Sequence, residues 1–173
     1  KFRRPVITLI DTPGAYPGIG AEERGQAEAI ARNLYLMSDL RTIIIAFIIG
    51  EGGSGGALAI GIADKVYMLK NSMYSVISPE GCASILWKDP ALASNAIEAL
   101  KPMADDLHKF GIIDGVIDEA YGGFQEDPQY TIHIMKHKIL SRVIELEKLP
   151  VEQLLEKRYE KYRNIGQIKE EKK

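Results

Sequence analysis

The sequence predicts an α/β protein built around a parallel β-sheet. Two largely apolar runs, residues 6–10 and 42–49, are typical of strands that are buried on both faces. Between them, from residue 21 to about residue 40, apolar residues recur at steps of three and four, which indicates an amphipathic helix. Strand, helix and strand in this order form a βαβ unit, for which a right-handed crossover is expected.

Composition and charge further restrict the classes of protein to which the chain can belong. The chain has 173 residues, 46% of them hydrophobic, and a net charge of −2, which describes one domain with a real core and no overall basic field for nucleic acid. A single cysteine, Cys82, excludes an intrachain disulfide and a multi-cysteine metal site. No signal peptide is visible, and no apolar run reaches the roughly 18 residues of a membrane span. We therefore expect a cytoplasmic protein without a membrane segment.

The remaining elements follow from periodicity and from proline and glycine positions. Residues 11–20 hold two prolines and three glycines, which predicts a loop of defined shape. Pro150 separates two amphipathic helices. In order, we predict helix 57–63, strands 65–69 and 73–77, helices 82–88, 91–100 and 102–110, strand or extended structure 112–117, helices 128–149 and 151–163, and a disordered charged tail at 169–173.

The most informative segment is Gly-Glu-Gly-Gly-Ser-Gly-Gly at residues 50–56, between a predicted strand and a predicted helix. We interpret it as a strand-to-helix turn, where the backbone comes close to a ligand and free N–H groups face an anionic oxygen. A turn that only packs a helix on a sheet would explain one or two of its five glycines.

Three ligand chemistries remain open for this turn. Gly50, Gly52 and Gly55 match a dinucleotide-binding G-x-G-x-x-G, but Asp64 lies too near for the acidic residue of that motif. Ser54 matches the nucleophile of G-x-S-x-G, yet the three histidines, at positions 108, 133 and 137, all lie far downstream. In the third interpretation, the N–H groups of Gly55 and Gly56 form an oxyanion hole that needs no side chain.

Four motifs together resemble one family. They are residues 11–18 (DTPGAYPG), 21–26 (AEERGQ), 50–56 and 74–83 (YSVISPEGCA), and they occur in the order found in the alpha subunit of bacterial-type acetyl-CoA carboxylase carboxyltransferase. The resemblance covers the chain from Pro5 to about Gly123. It implies a crotonase-like (ClpP/crotonase) fold, a spiral of ββα units with a helical C-terminal extension, and an N-terminal portion that is missing from this chain.

The activity implied by the resemblance is transfer of a carboxyl group from carboxybiotin, carried on the biotin carboxyl carrier protein, to acetyl-CoA, giving malonyl-CoA in the first committed step of fatty acid biosynthesis. Biotin carboxylase and a zinc-containing beta subunit in an alpha2beta2 heterotetramer are the implied partners. No metal is expected on this chain. An acyl-CoA other than acetyl-CoA, or a scaffold subunit without catalysis, are the alternatives, and a Clp-type serine protease is the rival by fold.

The resemblance also assigns roles to residues. The backbone N–H groups of Gly55 and Gly56 would hold the ureido oxygen of biotin, and no protein base would be needed. Substrate contacts fall on two segments, namely Gly14, Ala15, Tyr16, Pro17 and Gly18 in the first and Gly52, Gly53 and Ser54 in the second. We expect the carboxyltransferase domain at residues 1–127, the helical extension at 128–163 and the charged tail at 164–173.

Overall fold

The computed structural model describes Phe2 and residues 4–166, and within them the predicted parallel sheet is present. Its strands are β1 (Val6–Thr12), β2 (Ile44–Gly53), β3 (Lys65–Leu69), β4 (Met73–Ser75) and β5 (Gly115–Ile117). They lie in the order β1-β2-β3-β5, all parallel, while β4 pairs with the end of β2 beyond the reach of β3. The carboxyl ends of β1 and β2 therefore lie side by side.

The helices connect and cover these strands. They are α1 (Ile19–Glu23), α2 (Gln26–Ser38), α3 (Ser54–Leu58), α4 (Pro79–Trp87), α5 (Ala93–Leu100), α6 (Ala104–Lys109), α7 (Pro128–Leu146) and α8 (Val151–Arg163), with a 3-10 turn at Pro90–Leu92. None of the helices in this part of the chain is long and apolar enough to cross a membrane. The predicted tail at 169–173 lies outside the described residues.

The single helix predicted for residues 21–40 is wrong, because the chain forms two helices there. Helix α1 ends at Glu23, and Gly25 adopts a left-handed conformation with a φ of 77° before α2 begins at Gln26. Glycine takes this conformation without steric cost, so the break is inexpensive. The apolar positions that recur at steps of three and four begin only at Ala27, after the break, so their periodicity gave no sign of it.

The predicted glycine turn is also partly wrong, since its first half is strand. Strand β2 continues to Gly53, pairing with Thr12 of β1 and with β4 from Glu51 to Gly53. Helix α3 then starts directly at Ser54 and lasts only to Leu58, in place of the helix predicted at 57–63. The strand is extended because β4 and β1 supply ladder partners that the local sequence does not reveal.

Other predicted boundaries shift by a few residues. Helix α4 starts at Pro79 and not at Cys82, because the Ser78 hydroxyl accepts a hydrogen bond from the Gly81 N–H and caps the helix. Helix α7 ends at Leu146, three residues before its predicted end. Strands β1, β4 and β5 and helices α5 and α6 likewise begin or end a few residues from the predicted positions.

Two apolar cores lie on opposite faces of the sheet. On one face, Ile44, Ile48 and Met68 pack with α3 and α6. On the other, Ile45, Phe47 and Tyr67 pack against Met135 of α7 and Leu154 of α8. The alternation of buried residues along β2 follows from the two-residue period of a strand covered on both sides. The C-terminal helices thus cover the sheet of their own chain.

A buried ion pair between Arg158 and Asp64 links α8 to the amino ends of the strands. Arg158, only 2% exposed, donates from Nε to Asp64 at 2.8 Å and from Nη2 to the same carboxylate at 2.9 Å. Its remaining hydrogen bonds go to three main-chain carbonyls, those of Met37, Leu40 and Thr42. The second carboxylate oxygen also accepts from the Ile44 N–H at 2.7 Å. Both charged groups are therefore fully bonded without water.

A second acidic group, Asp114, bonds to Lys161 of α8, to Lys65 and to the Val66 N–H. Burial opposes its ionisation, but these three donors outweigh burial and lower the pKa of Asp114 below the usual 3.8. Burial lowers the pKa of Lys161, which nevertheless stays protonated at acidic pH. Ionised Asp114 therefore adds stability at neutral pH, and this stability is lost as the pH falls through the lowered pKa.

We expect Asp114→Asn to destabilise the chain near pH 7 and to matter progressively less as the pH falls through 3.8, the usual pKa, toward the lowered pKa. Urea unfolding at a series of pH values measures the difference. Asp118→Asn is the matched control, because Asp118 is 74% exposed and its pair with Lys70 is 4.0 Å long. A difference between Asp114→Asn and the parent that does not change with pH would contradict the assignment.

Candidate functional site

Two of the segments singled out in the sequence meet at the carboxyl end of the sheet. Residues 13–18 leave the end of β1, and residues 53–56 join β2 to α3. Neighbouring parallel strands place their carboxyl ends at one edge, which is where ligands bind in many open α/β folds. The structure thus brings together residues that are about 40 positions apart in the chain.

The contact between these segments is made by backbone. A Cβ atom added to Gly53 would lie 2.1 Å from the carbonyl oxygen of Pro13, and one added to Gly56 would lie 3.1 Å from the nitrogen of Ala15. Gly14, with a φ of 128°, would bring a Cβ to 3.3 Å from Cβ of Ser54. Only glycine at position 53 lets the two segments approach this closely, and a Cβ at position 56 would require the loop to shift by a few tenths of an ångström.

The start of α3 lies at this junction, and no side chain caps its first peptide groups. The first N–H groups of a helix have no partner inside it. Gly55 and Gly56 belong to this first turn. A Cβ on Gly55 would point away from the loop, toward Cδ1 of Ile30 in α2 at 3.4 Å. The arrangement can offer N–H donors to an oxygen without interference from side chains.

Ser54 sits in a strained position where the strand turns into the helix. Its φ is 48°, one of three positive values among the non-glycine residues that the structure describes. This sharp turn is what the G-x-S-x-G alternative requires. However, the hydrogen bonds found among residues 4–166 include none between Ser54 and a histidine. The geometry of a nucleophile elbow is thus present without a bonded base.

Polar side chains near the end of β1 shape both segments. The Asp11 carboxylate accepts from the Glu51 N–H at 3.0 Å, at the point where the register between β1 and β2 shifts. The Thr12 hydroxyl accepts from the Gly14 N–H at 3.2 Å and starts the loop. Sequence reasoning placed both residues in a motif but gave neither a role. Only the Thr12 bond is local, so Thr before Pro-Gly was the available signal for it, whereas the Asp11 bond joins residues 40 positions apart.

The other predicted contact residues occupy varied positions. Tyr16 is 73% exposed, with its ring folded over Gly18, and Pro17 is exposed. Gly52 is buried in the sheet between Thr12 and Tyr74, where an added Cβ would lie 2.8 Å from Cδ2 of Tyr74. Arg24, Glu51 and Glu80 are exposed, Cys82 is buried, Tyr74 is half-buried and Trp87 is 42% exposed. Among the described residues, no three His, Cys, Asp or Glu side chains group as a metal site.

Solved structures with the same architecture define the fold class. Transcarboxylase 12S, a hexamer solved with methylmalonyl-coenzyme A, superposes with a TM-score of 0.65 at 24% identity over 99% of this chain and 30% of its own. A Pseudomonas malonate decarboxylase hetero-tetramer in complex with coenzyme A gives 0.59 at 21% identity over 67% of this chain and 48% of its own. The fold is the crotonase-like α/β fold, as the resemblance implied.

Sequence similarity identifies the family of the chain within this fold class. It belongs to the acetyl co-enzyme A carboxylase carboxyltransferase-like family, whose model matches residues 1–166. It is 58% identical over 166 residues to the acetyl-coenzyme A carboxylase carboxyl transferase subunit alpha of Fusobacterium nucleatum, a match that covers 96% of this chain and 53% of that protein. The chain thus spans about half the length of the curated relatives it matches.

Proposed function

We propose that the protein of which this chain is part is the alpha subunit of an acetyl-CoA carboxylase carboxyltransferase. It transfers the carboxyl group from carboxybiotin on the biotin carboxyl carrier protein to acetyl-CoA, giving malonyl-CoA for fatty acid biosynthesis in the cytoplasm. The observation that carries this proposal is the backbone junction of residues 13–18 and 53–56, where an added Cβ would collide with the loop at Gly53 and no side chain caps the first N–H groups of α3.

The chemistry of this junction fits biotin. Carboxybiotin supplies the carboxyl group, and its loss leaves negative charge on the ureido oxygen. Helix-start N–H groups stabilise such an oxygen, and a single donor of this kind is typically worth on the order of 10²–10³ in rate. We assign this role to the N–H groups of Gly55 and Gly56, with Gly14, Ala15, Tyr16, Pro17, Gly18, Gly53 and Ser54 as the substrate-facing surroundings. The buried Gly52 supports the strand beneath them.

Partner subunits complete the enzyme in this proposal. We assign the acyl-CoA site mainly to a zinc-containing beta subunit in an alpha2beta2 assembly, to which biotin carboxylase and the carrier protein connect. Apolar side chains on the α4–α5 hairpin support a protein contact, since Ile85 is 63% exposed and Leu86 is 59% exposed. The hairpin follows β4, which pairs with the glycine end of β2, so a subunit bound there would lie beside the site.

Carboxyl transfer between malonyl-CoA and free biocytin tests the proposal. We expect activity when the full-length chain is mixed with its beta subunit and none with either subunit alone. Other carboxylated acyl-CoA substrates, assayed in parallel, define the acyl preference. If the subunits assemble but transfer nothing to or from any of them, the scaffold role replaces the catalytic one.

The strained turn at Ser54 favours a second candidate, a serine hydrolase, and one substitution separates the two. Ser54→Gly removes the hydroxyl group and suits the positive φ, so the chain should become more stable by about 0.5–1 kcal/mol. Carboxyl transfer should persist at a rate within about threefold of the parent, because the donors are peptide groups. Abolished activity in a variant that is at least as stable as the parent would instead identify Ser54 as a nucleophile.

A further inference from the structure

The break between α1 and α2 places one polar side chain against the loop at residues 13–18. Because Gly25 turns the chain with a φ of 77°, Gln26 becomes the first residue of α2 and is half-buried. In a continuous helix over residues 21–40, Gln26 would lie in the helix interior, and its side chain would project in the same direction as the others on that helix face. The break places the Gln26 side chain beside Tyr16, in the loop that follows β1.

The side-chain amide of Gln26 matches the main chain of Tyr16 at both of its polar groups. With the amide oriented to satisfy both atoms, its nitrogen donates to the Tyr16 carbonyl oxygen at 2.8 Å and its oxygen accepts from the Tyr16 N–H at 3.1 Å. This pair of bonds imitates a rung of a β-ladder. It fixes the peptide groups on both sides of Tyr16, which a single hydrogen bond would leave free to rotate.

The fixed peptide is continuous with the surface that touches the glycine segment. The N–H of Tyr16 belongs to the peptide that starts at Ala15, and the nitrogen of Ala15 would lie 3.1 Å from a Cβ on Gly56. On the other side, the Tyr16 carbonyl also accepts from the Gly18 N–H at 3.0 Å. Residues 13–18 belong to none of the strands or helices, so these few bonds set the loop's position.

We propose that Gln26 is a positioning residue for the carboxyl-transfer site, holding the Gly14–Ala15 backbone against Gly56 and at a fixed distance from the N–H donors of α3. The inference rests on the proposed function. Gln26 does not touch the reacting atoms and acts only through the loop. Its effect is geometric, and a displacement of about 1 Å at such a site can cost on the order of 10²-fold in rate.

Three variants separate hydrogen bonding from packing. Gln26→Met keeps the length of the side chain but forms neither bond, and Gln26→Glu keeps the shape and the acceptor but loses the donor at neutral pH. Gln26→Ala removes both packing and bonds. Gln129→Ala is the matched control, because Gln129 is an exposed glutamine in the first turn of α7. All four are made in the full-length chain and assembled with the beta subunit.

We expect all three Gln26 variants to lower kcat for biocytin carboxyl transfer roughly tenfold or more, with little change in KM for malonyl-CoA and unchanged assembly. Gln129→Ala should match the parent. If Gln26→Met or Gln26→Glu has the same kcat as the parent, the side chain acts by packing and the proposal is wrong.

A second measurement does not depend on activity. Hydrogen–deuterium exchange of the peptide covering residues 14–18 should speed up several-fold in Gln26→Met and not in Gln129→Ala, because the Tyr16 N–H loses its acceptor. Unchanged exchange overturns the positioning role. If the parent is inactive but exchange in the loop still speeds up in Gln26→Met, the proposed function is rejected. The role of Gln26 in holding the loop is then still supported.

Discussion

Replacing Arg158 by methionine should lower the free energy of unfolding by about 3–5 kcal/mol, which is the usual cost of removing one partner of a buried ion pair. The buried Asp64 carboxylate would lose its ion-pair partner and keep only the Ile44 N–H as a hydrogen-bond donor. Three carbonyl groups would also each lose one donor. Urea unfolding followed by circular dichroism measures the loss.

Two further variants test the origin of the Arg158 effect. Lys157→Met, the adjacent exposed position on α8, should change stability by no more than about 0.5 kcal/mol. Arg158→Lys keeps the charge but cannot reach both carboxylate oxygens and three carbonyls, so a large part of the loss should remain. If Arg158→Lys is as stable as the parent, the charge alone matters and the five-bond geometry does not.

Replacing Gly53 by alanine should reduce carboxyl transfer by about 10²-fold or more and destabilise the chain by about 1–3 kcal/mol. Gly53 has a φ of −96°, which alanine adopts readily, so the backbone conformation is not the obstacle. The obstacle is the Pro13 carbonyl oxygen, 2.1 Å from the new Cβ. Either β2 or the loop must move, and both form the proposed site.

Gly55→Ala provides the matched control for Gly53→Ala, since the same methyl group is added two residues away. There the Cβ would meet Cδ1 of Ile30, a side-chain end that can shift, at 3.4 Å. The N–H of residue 55 is retained. We expect transfer within about threefold of the parent and a slightly more stable helix start. Equal losses in both variants would show that the glycine segment is sensitive to any added bulk and not to the loop contact.

Local sequence predicted most of the strands and the C-terminal helices because apolar runs and apolar periodicity report burial directly. Residues 44–48 are buried in the structure as their apolar run indicates, and α8 has the predicted bounds. The glycines at 50–53 were assigned to a turn because their strand character depends on pairing with β4, which starts about 20 residues later. Long-range pairing overrides the low strand propensity of glycine.

The same distinction holds for the site. The sequence singled out both glycine-containing segments, but their contact depends on backbone distances that no residue type encodes. Gln26 is the last residue of the motif at residues 21–26, yet its proposed role depends on the left-handed turn at Gly25. The Arg158–Asp64 pair joins residues separated by 94 positions, so periodicity on α8 marked Arg158 only as one polar residue among many.

The backbone contact at Gly53 and Gly56 also limits how this protein family can evolve. A surface made of peptide groups cannot be adapted by substitution at its own positions, because each replacement adds an atom where main-chain atoms already lie. New ligand preferences must therefore arise in side chains around the junction, such as the exposed Tyr16, or in a bound partner. The backbone contact can therefore stay the same as sequences diverge, while the side chains around it change.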